Sequence, residues 1–199
     1  MPTRGVHAAS STTLDHINDN DLALLRRIAA RDRQAFEQLY NQYACRLAGY
    51  LARILWQPDQ VEDILHDVML AIWQQAPAYE PTGRVSTWIF GIAKYKAFKA
   101  RASAPRQYPE RLPALPNAPD EEILEEGLMR QERARAVTAA LATLRPEQRA
   151  VVELTYYHHC SYQEIAAIMD CPVNTVKTRM LKARRHLIAH FTRLGLPSL

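Results

Sequence analysis

The sequence predicts an all-α protein: two small helical domains joined by a flexible linker, the C-terminal one containing a helix-turn-helix. Three observations carry this expectation. Apolar residues recur at three- and four-residue spacing, while runs alternating Val, Ile or Thr with polar residues do not occur. Only six glycines occur in 199 residues, which fits long helices better than a many-turned sheet. Between residues 103 and 126 the helical pattern stops, and Pro105, Pro109, Pro113, Pro116 and Pro119 are followed by Asp120, Glu121, Glu122, Glu125 and Glu126. Repeated proline forbids a long helix and the acids repel one another, so this stretch reads as an extended linker.

Taken in order, residues 1–20 are small and polar without periodicity and read as a mobile N-terminal tail. The first domain spans 21–102. Its helical pattern begins near Asp21 with Leu22, Leu25 and Ile28, continues through Phe36, Leu39, Tyr40 and Tyr43, and ends with Leu47, Leu51, Ile54 and Leu55. Pro58 and Asp59 break it and start another helix.

That next helix, 59–75, has a core stripe of Val61, Ile64, Leu65, Val68 and Ile72. A helical wheel gathers Asp63, Asp67 and Leu70 on the reverse face, flanked by His66 and Trp73. Apolar side chains rimmed by acids suit a protein partner carrying Arg or Lys. The plainer alternative is that Leu70 and Trp73 pack under a neighbouring segment of the same domain. Pro77 to Gly83 is a loop. From Arg84 to Ala102, Trp88, Phe90, Tyr95 and Phe98 interleave with Lys94, Lys96, Lys99 and Arg101. Aromatics stack unpaired bases while cations hold the backbone, as single-stranded nucleic acid requires. Some of these aromatics must also be core, because Ile89 and Ile92 alone make a thin stripe.

The second domain spans 127–191, with 192–199 as a C-terminal tail. Leu128, Val137, Leu141 and Leu144 resume the helical pattern, and Pro146 opens a helix through Val151, Val152, Leu154 and Tyr157. Ser161 and Glu164 then form a capping box ahead of Ile165, Ala166, Ile168 and Met169. Asp170-Cys171-Pro172 breaks that helix, Asp tolerating unusual backbone angles and Pro suiting a first helical position. In the helix that follows, Val176, Met180, Ala183 and Leu187 make a buried stripe, and Asn174, Thr178, Leu181 and Arg185 face outward beside Lys177 and Lys182. Five Lys or Arg and no acid lie between Val173 and Arg185. A short helix followed by a basic one suits a reader of the DNA major groove. A helical hairpin with a solvated basic face is the alternative. On the groove reading, Lys177, Thr178, Leu181 and Lys182 contact bases, and Arg185, farther along the helix, contacts phosphate.

Composition agrees. Residues 1–101 carry a net charge of +2, residues 102–129 one of −4 and residues 130–199 one of +6, so the basic excess sits with the helix-turn-helix. Three scattered cysteines, Cys45, Cys160 and Cys171, fit a reducing cytoplasm. No apolar run reaches membrane-spanning length, and direct membrane insertion is not expected. His158-His159-Cys160 with Cys171 matches no structural zinc spacing, so neither metal nor other cofactor is expected. No Ser/His/Asp set, Gly-rich phosphate loop or paired-carboxylate pocket points to an enzyme.

The stretch LRPEQRAVVELTYYHHCSYQEIAAIMDCPVNTVKTRMLKARRHL resembles region 4 of bacterial sigma factors. VEDILHDVMLAIWQQ followed by STWIFGIAKYKAFKARA resembles their region 2, and the order and linker match the extracytoplasmic-function (ECF) class. The resemblance implies a subunit that binds core RNA polymerase and directs initiation at promoter DNA, under an anti-sigma factor that is free or membrane-bound. It implies that Glu62, Asp63 and Asp67, with Leu70 and Trp73 beside them, engage the polymerase β′ coiled coil. It places Ser86, Thr87, Trp88, Lys94, Tyr95, Lys96, Lys99 and Arg101 at the −10 element. Asn174, Thr175, Lys177, Thr178, Arg179, Leu181, Lys182 and Arg185 fall at the −35 element. Tyr95 and Lys99 stand where many members have Asn and Asp, and Asp170 and Asn174 where Gly is usual. A repressor or activator that oligomerises through its first domain is the other reading. It would bind a two-fold symmetric operator unaided.

Overall fold

The computed structural model describes residues 7–55, 59–103 and 136–193, with side chains from residue 18 onward. Most of the expected linker and both chain ends lie outside the described residues.

Helix α1 runs His7–Ala29, α2 Arg33–Ile54, α3 Asp59–Gln75 and α4 Val85–Ser103. Residues 136–142 form α5, followed by α6 (Pro146–Tyr156), α7 (Tyr162–Met169) and α8 (Val173–Arg193). Helix α1 begins at His7, well ahead of Asp21 where the apolar pattern starts. Asn18, which the sequence assigns to the tail, belongs to the fold: its Oδ1 accepts from the Val85 backbone N–H at 3.0 Å and caps the start of α4. A left-handed Arg31 (φ 67°) turns the chain from α1 into α2. Asp32 caps α2 by accepting from the N–H groups of Gln34 and Ala35 at 2.8 and 3.2 Å.

Helices α1–α4 share a core in which Leu25 and Ile28 meet Leu39, Tyr43, Leu47 and Leu51 of α2, Val68 and Ile72 of α3, and Ile89 and Phe90 of α4. Asp21 is 1% exposed within it. Its carboxylate accepts from the Tyr43 hydroxyl and from Gln42 Nε2, so the buried acid is hydrogen-bonded as it must be. In the C-terminal unit Val151 and Leu154 of α6 pack against Ile165 and Ile168 of α7 and Val176, Met180 and Ala183 of α8. The Ser161–Glu164 capping box forms as the sequence predicts, with Ser161 Oγ accepting from Glu164 N at 3.2 Å and Ser161 N donating to the Glu164 carboxylate at 2.8 Å. Asp170 closes α7 in the left-handed region (φ 50°), which Asp visits more readily than most residues.

The two units are packed together, a feature the sequence did not show. Helix α6 lies on α2, and α7 on α4. The His158 ring sits 4.5 Å from that of Phe90 and 5.9 Å from that of Tyr50. Arg149, 4% exposed, donates to the α5 carbonyls of Leu141 and Ala142 at 2.7 and 2.6 Å, satisfying an open helix end. It also reaches across to the Arg53 carbonyl at 2.9 Å. Arg53 in turn pairs with the fully buried Glu153 at 3.1 Å, and Arg84 with Glu164 at 3.0 Å.

Candidate nucleic-acid and partner interfaces

The first face lies on the outside of α3. Burying Leu65, Val68 and Ile72 turns Glu62, Asp63, Asp67 and Leu70 to solvent, Leu70 being 53% exposed. Two of the expected residues are engaged within the fold. Asp67 forms an ion pair with Lys96 at 3.3 Å. Trp73 is half-buried, its ring edge-on to Phe36 at 5.2 Å and its carbonyl accepting from Arg31 Nη1 at 3.0 Å. For Trp73 the alternative of packing under a neighbouring segment is what the fold adopts. Leu70 stays open.

The second face is a groove of about 730 Å³ beside α4, lined by Thr87, Trp88, Tyr95 and Lys96 together with Gln75, Tyr79 and Gly91. Tyr79 and Trp88 lie with ring centroids 5.0 Å apart, and the Tyr79 hydroxyl donates to the Gly83 carbonyl at 3.0 Å, fixing the loop against the helix. Tyr95 is 62% exposed, and Lys99, one turn beyond it, is exposed too. Stacking surfaces and a cation line one channel, the combination that holds unpaired bases.

Three residues from the same sequence stretch lie elsewhere. Ser86 faces a different cavity, with His158 and Glu164. Arg101 donates to the Ile54 carbonyl at 2.7 Å and ties down the end of α2, and Lys94 is half-buried on the helix flank. The reason is helical geometry: at about 100° per residue, a run of polar positions cannot all share one face. Phe90 is fully buried core.

The third face is α8. Asn174, Lys177, Thr178, Leu181, Lys182 and Arg185 are exposed along it. Thr178 Oγ1 donates back to the Asn174 carbonyl at 2.9 Å. Thr175 and Arg179 lie half-buried on the flank, and Arg179 Nη1 turns back to Cys171 Sγ at 3.4 Å. The exposed basic positions carry no ion pair with an acid among the described residues.

Comparison with known proteins identifies the family. The family profile described as Sigma-70 region 2 matches residues 39–106, and that described as Sigma-70, region 4 matches residues 134–187. The ECF RNA polymerase sigma factor RpoE of Cereibacter sphaeroides is 33% identical over 174 residues, covering 86% of this chain and 94% of that protein. The chain belongs to the ECF sigma factors. SigK of Mycolicibacterium vanbaalenii, another of them, is 29% identical over 170 residues, 83% of this chain and 86% of that one. Among solved structures, CnrH in complex with the cytosolic domain of CnrY superposes with a TM-score of 0.66 at 21% identity, over 87% of this chain and 98% of that one. The sigma factor RpoE of Bartonella quintana, in complex with the anti-sigma factor NepR, gives 0.60 at 21% identity, over 79% and 96%. Both show the same fold.

In this sigma factor several groups are strongly perturbed where the two units meet. Burial pushes the Glu153 carboxyl up to about 7, with the Arg53 and Arg149 guanidinium groups pulling the other way. Burial likewise lowers His158 to about 3, helped by the neighbouring Arg46 and Arg53. Neither His158 ring nitrogen has a hydrogen-bond partner, so the ring is held in its neutral form between aromatics. Cys160, half-buried nearby, is pushed up to about 12 by burial and is an inert thiol. Sequence reasoning missed Tyr79 and Gln75 on the groove and the whole Arg53–Glu153–Arg149 cluster. Tyr79 was visible as an aromatic in the loop ahead of α4, but nothing in the sequence aimed it at Trp88.

Proposed function

We propose that this sigma factor binds core RNA polymerase through Glu62, Asp63, Asp67 and Leu70 on α3. The unpaired −10 strand lies in the Thr87–Trp88–Tyr95–Lys96 groove, and α8 reads the −35 element in the major groove. It directs initiation and catalyses nothing itself. The observation that carries this reading is that a stacking groove, lined by α3, α4 and the loop between them with only Ala167 added from α7, and an acid-free reading helix, α8, the two chemistries a split promoter needs, occur in one chain. It acts in the cytoplasm, where the polymerase is. Among the described residues no helix is long and apolar enough to cross a membrane. An anti-sigma factor controls it, a reading supported by CnrH and the Bartonella RpoE having been captured in complexes of that kind.

The packed arrangement bears on that control. Packed helices lie about 8–10 Å apart, and α7 touches both α4 and α8, so the axes of α4 and α8 are at most about 20 Å apart. The −10 and −35 elements are separated by about 25 base pairs, or about 85 Å at 3.4 Å per pair. Reading both at once therefore requires the α2–α6 and α4–α7 contacts to open. Run-off transcription with core polymerase tests the function. A split, asymmetric promoter should be transcribed only when the protein and core are both present. Tight binding of a two-fold symmetric operator by the protein alone would instead identify an activator or repressor.

A further inference from the structure

On the flank of α8 a second basic feature opens, which shares Lys182 with the base-reading assignment but otherwise lies outside it. A cleft of about 440 Å³ is lined by Lys182 and His186 of α8 and by Thr143, Arg145 and Gln148 at the turn between α5 and α6. Arg145, Lys182 and His186 are exposed. The cleft is built across two elements. His186 Nε2 lies 3.0 Å from Thr143 Oγ1, joining α8 to the turn, and the Gln148 side chain accepts from the Arg145 backbone N–H at 3.3 Å, holding the turn in shape. Arg145 has no ion pair with an acid among the described residues, so its guanidinium is held beside the reading helix without a protein counter-charge.

We propose that this cleft holds a backbone phosphate of the −35 duplex, gripped by Arg145 with Lys182 and His186 beside it. This rests on the reading of α8 as the −35 helix. Rise along the helix sets the geometry. Thr178 and His186 are eight residues apart, about 12 Å at 1.5 Å per residue, and the major groove is about 12 Å wide. With Thr178 against base edges, His186 is therefore level with the groove wall, where the phosphates run. Lys182 stands between the two positions and reaches either the bases or the wall. A planar guanidinium suits a phosphate oxygen pair better than an ammonium does, which gives Arg145 the leading part. The clasp carries no base information. It sets how deeply and at what angle α8 enters the groove.

The test compares polymerase holoenzymes carrying wild-type chain or Arg145→Ala on promoter DNA over a range of salt. Among the described residues the Arg145 side chain makes no ion pair with an acid, so the variant should keep its structure, and matched thermal melts check this. Affinity should fall about ten-fold at 0.1 M salt, as for loss of a hydrogen bond to a charged group, equally for every −35 sequence. The slope of log K against log[salt] should shrink by about 0.9, the value for one phosphate. Ethylation interference adds the position: one −35 phosphate whose ethylation weakens the wild type should become indifferent in Arg145→Ala, and Arg145→Lys should recover part of the effect. An unchanged slope and ethylation pattern overturns the clasp. So does a changed base preference, because Arg145 would then be reading sequence. Wild-type holoenzyme that ignores the −35 sequence altogether would instead refute the underlying reading of α8.

Discussion

Replacing Arg53 by Met should release the two units from each other. Arg53 pairs with Glu153 at 3.1 Å, their side chains being 17% and 0% exposed, and its guanidinium also lies 4.1 Å from the Tyr157 ring centre. Breaking one side of a buried pair costs about 3–5 kcal/mol, because the remaining charge is left without a partner. Loss of the ring contact adds about 0.5–1 kcal/mol at this half-exposed tyrosine. A total near 4 kcal/mol shifts the closed-to-open ratio by about a thousand-fold. The charged contacts between the units should give way before the helices of either unit come apart. Small-angle scattering at pH 8, where Glu153 is ionised, provides the readout. A closed chain of 199 residues has a radius of gyration of about 16 Å, and separation on the linker should raise it beyond about 20 Å. The functional sign is more telling. If opening precedes promoter binding, the variant gains apparent promoter affinity with core polymerase, since the competent fraction has risen. Adding Glu153→Leu should restore the closed form, because an apolar pair replaces the orphaned charge. The reasoning fails if Arg53→Met scatters and binds like wild type, or if the double variant is as open as the single.

Asp63→Arg should abolish co-purification with core polymerase while leaving the melting temperature unchanged. Asp63 is exposed, and like charge at such an interface costs about 2–5 kcal/mol; retention on core at wild-type level would rule this surface out. Tyr95→Ala should lower permanganate reactivity of −10 thymines at full promoter occupancy, through loss of about 1–3 kcal/mol of base stacking. Trp88→Ala should do the same but also lower the melting temperature, since Trp88 packs on Tyr79; equal thymine reactivity in Tyr95→Ala and wild type would remove Tyr95 from the groove's function. His158→Phe should change how stability depends on pH. A depressed His158 contributes stability that is present above its ordinary 6.5 and is lost as pH falls towards 3. A raised Glu153 contributes stability present below its ordinary 4.5 and lost as pH rises to about 7. Between 4.5 and 6.5 the two oppose each other at about 1.4 kcal/mol per pH unit. The urea midpoint of wild type should therefore be nearly flat there, whereas that of His158→Phe should fall as pH rises; parallel profiles for the two proteins would contradict the assignment.

What the sequence could show depended on how local the determining forces are. The Ser161–Glu164 box, the Asp170 turn and the buried stripes of α3 and α8 rest on contacts within three or four residues, and each formed as expected except that Val61, Ile64 and Leu187 are only half-buried. Helical phase also turned Asp63, Leu70, Lys177, Thr178 and Lys182 outward without any tertiary knowledge. Where the reading extended to whole stretches, phase was ignored. The resemblance places Ser86 and Arg101 in one segment with Trp88 and Tyr95, and the helix sends them to other neighbours.

The contact between the units was illegible for a different reason. Tyr50 and Phe90 look like core residues of the first unit, and they are core; only their outer edges receive His158. Arg149 and Glu153, one turn apart on α6, look like an ordinary exposed helical pair. In the fold both are buried, and each finds its cross-unit partner on Arg53. No spacing rule links positions 53 and 153, since the link exists only once α6 has landed on α2. A charged cluster also suits a joint that, on the proposed reading of a split promoter, comes apart. Apolar contacts alone would lose little on mutation of any one side chain and would leave greasy surfaces when opened. A buried ion pair is costly to bury and readily hydrated when exposed, so the closed form is specified by matching charges and the open form stays soluble.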